Sequence, residues 1–235
     1  MLKNVMYFGG GNSRAHGAVV TTLPSIPAAQ ARGEWEEALG VHGSRFRSED
    51  ALESIDLPVQ LYIYPDADLD SLMSWLSGDG DLRFNDWPWT WRARRTAGFN
   101  LIPCAFNDGW NATVVFKIQP HRYKYPAASP ITLTGAGSVS NPCTAEAQPL
   151  ITITGTGNVT LMVGSSSVLI NSLTVANPVT LDCEAKVAYT GNYVSANDRV
   201  EPVNGWPVLA VGSTMINWSG GTVRQVQITP RWRSL

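Results

Sequence analysis

Apolar and polar residues alternate most regularly between Asn141 and Gly164, NPCTAEAQPLITITGTGNVTLMVG. Leu150, Ile151 and Ile153 interleave with threonines, and Val159, Leu161 and Val163 alternate in their turn, with Gly155-Thr156-Gly157-Asn158 between the two runs. Period-two hydrophobicity, β-branched residues and intervening glycines predict a hairpin of two half-buried strands that reverses at the glycines. Pro149 stands just before the first run, where its missing N–H removes no ladder bond. Further short segments of the same kind, at 131–134, 167–170, 179–182, 186–189, 214–218 and 222–229, make about eight strands after Pro126 and no helix. That spacing predicts an antiparallel β-sandwich.

The first half is also mainly β. Residues 3–8 read as a short apolar strand closed by Gly9-Gly10-Gly11-Asn12. A glycine-rich turn after a strand invites a phosphate cradle, but no GK[ST] follows, and a plain loop is the simpler reading. Residues 18–23 and 25–30 read as extended pieces interrupted by Pro24 and Pro27. In 57–64 the residues Leu57, Val59, Leu61 and Ile63 share one face and Tyr62 and Tyr64 the other. One helix follows Pro65, with Asp66 or Asp68 as N-cap, Leu69, Leu72, Met73 and Leu76 as its apolar stripe, and Gly78 as its stop. Trp75 lies off that stripe and is available to a neighbouring strand or a partner subunit. Asn107-Asp108-Gly109 marks a hairpin turn between strands at 100–106 and 113–119. The predicted fold class is therefore mostly β: an N-terminal sandwich-like or barrel-like domain with one α-helix, followed by a C-terminal antiparallel β-sandwich.

Charge divides the chain in the same way. Residues 1–125 hold 12 of the 17 Lys and Arg and 14 of the 19 Asp and Glu, whereas 126–235 hold 5 of each, with Ser and Thr in their place. The proline-rich stretch 119–130, QPHRYKYPAASP, is the expected junction. A net charge of −2 offers no field for nucleic-acid phosphates or an anionic membrane. No apolar run approaches the roughly 20 residues of a membrane span and no signal peptide opens the chain, so folding in the cytosol of the producing cell is expected.

Candidate chemistry is sparse. Cys104, Cys143 and Cys183 have no CxxC spacing; free buried thiols and a Cys143–Cys183 pair both stay open. His16, His42 and His121 lie far apart and fit no HExxH pattern, and no GxSxG elbow is present. Asp66, Asp68 and Asp70 have the rhythm of an EF-hand loop, but Ser71 and Ser77 occupy its glycine and glutamate positions, and helix capping accounts for the aspartates better. The Asn-x-Ser/Thr triplets at Asn111, Asn158 and Asn217 carry meaning only in a secreted protein. No catalytic, metal-binding or cofactor-binding residue is assigned, and an enzyme is the least supported class. Residues 82–95 alternate Trp89 and Trp91 with Arg92 and Arg94, followed by Arg95. An amphipathic strand, a subunit interface and a nucleic-acid platform are the three readings, with the interface supported by the enrichment of Trp and Arg at such surfaces. Trp206 and Trp218 are read as core and turn packing, or as a platform on which a glycan stacks.

Four stretches in one order carry a further implication: NPCTAEAQPLITITGTG from Asn141, TLDCE from Thr180, WPVL…GSTMINWSGG from Trp206, and ITPRWR from Ile228. The chain resembles the distal tail (Dit) proteins of siphophages, closely after Pro126 and loosely before it, in Met6-Tyr7-Phe8, Gly40-Val41-His42-Gly43 and 102–116. The resemblance implies a ring-forming first domain (1–125), with an exposed loop around 38–47, and a galectin-like second domain (126–235). It implies a structural virion protein at the tail tip, assembled in the host cytoplasm as a ring, a hexamer, that joins the tail-tube protein to a tail-associated tip protein and receptor-binding proteins. Specific nucleic-acid binding and membrane contact are not implied, and no inserted carbohydrate-binding module is visible. The competing expectation is a lectin-like protein that binds host-wall glycans through Trp206 or Trp218.

Overall fold

A computed structural model of the chain describes residues 4–37, 39–40 and 42–235. Lys3, at the start of the first predicted strand, and Ala38 and Val41, in the predicted loop, lie outside the described residues. The chain divides into two compact units, Met1–Arg122 with Leu235, and Tyr123–Ser234.

The first unit contains β1 (Met6–Phe8), β2 (Gly11–Asn12), β3 (Ala18–Thr22), β4 (Ala31–Glu37), β5 (Ser44–Leu52), β6 (Ile55–Ile63), α1 (Leu69–Trp75), β7 (Asp79–Phe84), β8 (Trp89–Arg95), β9 (Ile102–Pro103) and β10 (Trp110–Ile118). Its sheet runs β2-β1-β7-β8-β10-β6-β3. A bridge between Asn4 and Val20 then joins the start of β1 to β3 and curls the sheet into a barrel. The longest ladder pairs β6 with β10, from Ile63 opposite Trp110 to Ile55 opposite Ile118. Strict alternation turns Leu57, Val59, Leu61 and Ile63 inward, together with Val114, Phe116 and Ile118. Each fully buried side chain of this size stabilises the fold by roughly 1.5–3 kcal/mol.

The helix plugs this core. Asp68 Oδ1 accepts from the backbone N–H groups of Asp70 and Ser71 at 3.1 and 3.2 Å, and the helix lays Leu72 and Leu76, both fully buried, onto the barrel interior. Trp75 packs within its own unit. Its Nε1–H donates to the Phe8 carbonyl at 2.9 Å, its ring stacks on His16 at 4.7 Å, and it lies so close to Gly11 that a Cβ there would come within 2.5 Å of Nε1. The glycine run therefore makes a tight β1–β2 turn and a seat for an indole.

The second unit opens with β11 (Arg122–Lys124) at the boundary. It continues with β12 (Ile131–Leu133), β13 (Gly137–Asn141), β14 (Leu150–Val163), β15 (Ser166–Leu173), β16 (Val179–Asp182), β17 (Val187–Thr190), β18 (Val194–Ser195), β19 (Val200–Pro202), β20 (Gly212–Ser219), β21 (Thr222–Thr229) and β22 (Arg233–Ser234). The predicted hairpin at 150–163 is instead one strand of 14 residues. Register shifts at Thr154/Gly155 and Gly157/Val159 let it bend without reversing. Its first part pairs with β16 and β21, and its second part with β15 and β20. A single bent strand thus serves both sheets, β12-β21-β14-β16-β17-β18 and β13-β20-β14-β15-β19. The glycines supply the bend and the close approach it needs: a Cβ on Gly155 would meet the Thr222 carbonyl at 2.4 Å. Ile151, Ile153, Val159, Leu161 and Val163 all reach the core between the sheets.

Candidate assembly surfaces

The most exposed element of the first unit is the ribbon β4–β5, which hydrogen-bonds to no third strand among the described residues. Its register sets Trp35 opposite Phe46, Glu36 opposite Arg45, and Glu37 opposite Ser44. Two strands alone are marginal in water, because each has one neighbour and no layer beneath it. This ribbon, about 23 Å long for seven residues at 3.3 Å each, also has one apolar face. Trp35 packs against Phe46 at 5.2 Å yet stays 69% exposed, and Leu39 near the tip is fully exposed. Gly33 lets the two strands close: a Cβ there would come within 2.2 Å of the Arg47 carbonyl. The opposite face is stitched by Arg47–Glu36 and Arg32–Glu49 pairs at 3.2 and 2.5 Å. Five acids (Glu34, Glu36, Glu37, Glu49, Asp50) against three arginines (Arg32, Arg45, Arg47) leave the arm with a charge of −2.

A second surface lies on the outside of the barrel. There Asp79, Arg94, Lys117 and Asp56 stand opposite one another across β7, β8, β10 and β6. Arg94 meets Asp79 at 3.3 Å and Lys117 meets Asp56 at 3.5 Å. These groups are about half to two-thirds exposed, so each pair contributes little and exchanges partners readily. With Asp81 and Arg92 of the adjoining row, Asp79, Arg94 and Lys117 border a shallow cavity of about 470 Å³ floored by Gly80 and Ala93. Farther along β10, Val115 pairs with Pro58 and Thr113 with Gln60.

The residues singled out in 89–95 do not form one surface. Trp91 is 1% exposed and belongs to the barrel core, so its ring has nothing to offer a second subunit. Trp89 is half-buried, 5.5 Å from Trp87 and 5.4 Å from the Arg122 guanidinium. Arg95 shares the tryptophan side and covers Phe99 at 5.5 Å. Arg92 and Arg94 face outward and border the cavity just described. Trp206 and Trp218 are both half-buried and packed against the sandwich core, as the packing reading of these residues expects.

The titratable groups form one notable cluster, in the second unit. Arg231 donates to both Asp182 oxygens at 2.7 and 2.9 Å and to Glu184 at 3.2 Å, while the Tyr123 hydroxyl donates to Glu184 at 3.0 Å. The Arg231 hydrogen bonds hold the Asp182 carboxyl below the usual carboxylate range. Burial pushes the neighbouring Cys183 thiol up to about 12. All three cysteines are free. Among the described residues no group of three or more His, Cys, Asp or Glu side chains could hold a metal ion, and no helix is long and apolar enough to cross a membrane.

The structure is similar to the Dit protein of phage SPP1, described as a paradigm of the hub adsorption apparatus in phages that infect Gram-positive bacteria. The likeness covers 99% of this chain and 100% of that one, at 15% identity and a TM-score of 0.74. It is also similar to a chain of the phage P2 baseplate in its activated conformation, with calcium (96% of this chain, 97% of that, 7% identity, TM-score 0.55) and with strontium (the same coverage and identity, TM-score 0.52). No family model and no curated protein sequence matches the chain.

Proposed function

We propose that this protein is the distal-tail hub of a long non-contractile phage tail, a structural virion component without catalytic activity. Its copies form a ring, most simply a hexamer, between the tail tube and the tail-tip and receptor-binding proteins. The observation that carries this reading is the likeness to SPP1 Dit across both units, since a shared sandwich alone would be compatible with many functions. The exposed arm supports it independently. Evolution retains an unsupported ribbon with a solvent-facing Trp35 most readily when another molecule covers it. Light scattering on the purified chain, with negative-stain imaging, tests the reading. Six copies of 25.5 kDa give about 153 kDa and closed rings. A monomer at every concentration overturns it.

A further inference from the structure

The outer face of one sheet in the second unit carries a row of hydrogen-bonding side chains without charge. Tyr189 stands opposite Ser195 on one side and Thr180 on the other, Thr180 opposite Thr152, Thr152 opposite Gln227, and Gln227 opposite Thr132. The row crosses six strands, a span of about 24 Å at 4.8 Å per strand. The residues that alternate with it, Leu181, Ile151 and Ile228 among them, fill the core, so the row points outward. Its hydroxyl and amide groups both donate and accept. The Thr152 and Thr180 hydroxyls bond each other at 3.0 Å and keep further capacity. Asp182, two residues along β16, is occupied by Arg231.

One end of this row is aromatic. Tyr193 lies 5.1 Å from Tyr189, ring to ring, and is 83% exposed. Its backbone is left-handed at φ 57°, a region that favours glycine, so a bulky side chain is held there against its own preference. Burial does not account for a ring left in solvent, and residues kept in such conformations cluster where ligands are held. We propose that this face binds a neutral oligosaccharide. The Tyr193 ring, propped by Tyr189, stacks on one sugar, and Thr180, Thr152 and Gln227 bond the hydroxyls of the sugars that follow. A pyranose has an apolar C–H face and a rim of hydroxyls that donate and accept; the tyrosines match the first and the uncharged row matches the second. A polyanion would need cations, and the row has none. The site lies within one chain, so it stands apart from the hub reading.

Calorimetric titration of the full-length protein tests this, with hexasaccharides of glucose, galactose, mannose and N-acetylglucosamine as probes and heparin and oligo(dT) as anionic comparisons. At least one neutral hexasaccharide binds in the sub-millimolar range, and neither polyanion does. Tyr193→Gly, which relieves the left-handed backbone, keeps the melting temperature within a few degrees and weakens that binding about tenfold or more. Gln227→Ala weakens it about threefold. A wild-type chain that takes up no neutral hexasaccharide overturns the site, as does binding that is unchanged in Tyr193→Gly or a preference for heparin or oligo(dT). Whether rings form decides the hub reading and not this one, since each chain carries the whole face.

Discussion

Arg231 holds a left-handed backbone at φ 54°, a conformation that costs a long side chain about 1–2 kcal/mol. Its bidentate grip on Asp182 offsets that cost. Asp182 is held further by N–H groups of Glu184 and Ala185 at 3.1 Å each. Removing either partner leaves the other half-buried with its strongest hydrogen bonds lost, so Asp182→Asn and Arg231→Ala each destabilise the fold by about 1–3 kcal/mol in urea melts at pH 7. Because the Asp182 pKa is depressed in the folded state, its contribution is fully present above the unfolded value near 3.9 and is lost as pH falls through the lower, folded value. The gap between wild type and Asp182→Asn should therefore close on acidification. A gap unchanged from pH 7 to pH 2 would contradict the assignment. Cys183, one residue away, has a thiol pushed up to about 12 by burial, so iodoacetamide spares it in the native protein and labels it after unfolding in guanidinium.

Elements with one clean apolar face are legible in the sequence. Leu57 to Ile63, Val179 to Asp182, Thr222 to Thr229 and the Asp68-capped helix fall where alternation and capping put them. Two elements were misread for identifiable reasons. In β14 the glycines at 155 and 157 look like a reversal, because sequence shows where a chain can bend and not by how much; the partners β21 and β20 decide that. The arm is hard to read as strands because one face is charged (Glu34, Glu36, Arg45, Arg47) and the other sets only Trp35 and Phe46 among Gly33, Glu37, Ser44 and Ser48, too few apolar positions to mark a strand. Period two separates Trp89 and Trp91 from Arg92 and Arg94 in β8, but cannot say which face turns inward. An element stabilised chiefly by its own ladder should be dispensable to the barrel. Replacing 31–52 with a short Gly-Ser linker is expected to leave the barrel's melting temperature within a few degrees while abolishing assembly. A large loss of stability would mean that the arm also supports its own barrel.

The two units bury separate cores, one drawn from residues between Met6 and Ile118 and the other from residues between Val139 and Trp232. The four stretches that carry the Dit resemblance all lie in the second unit, and there they meet. Asn141 donates to the Leu209 carbonyl at 3.1 Å, Ala147 and Leu209 exchange backbone bonds at 2.9 and 2.8 Å, Arg233 donates to the Glu146 carbonyl at 2.7 Å, and Arg231 holds Asp182. The motifs are thus a clasp that closes the sandwich, which explains why they advertised a fold and no chemistry. The same clasp ties the ends of the unit together, since Lys124 donates to the Trp232 carbonyl at 2.9 Å and Tyr123 reaches Glu184. A segment of this size, with its own core and its termini pinned, meets the physical requirements for autonomous folding. The fragment 123–234 is expected to unfold cooperatively with a β-type circular dichroism spectrum and to stay monomeric where the full chain assembles. Trimming its start to 126 removes Tyr123 and Lys124 and should lower its melting temperature by several degrees. A fragment without a cooperative transition would show that the sandwich depends on the barrel unit, and the assembly surfaces would then have to be reconsidered as properties of the undivided chain.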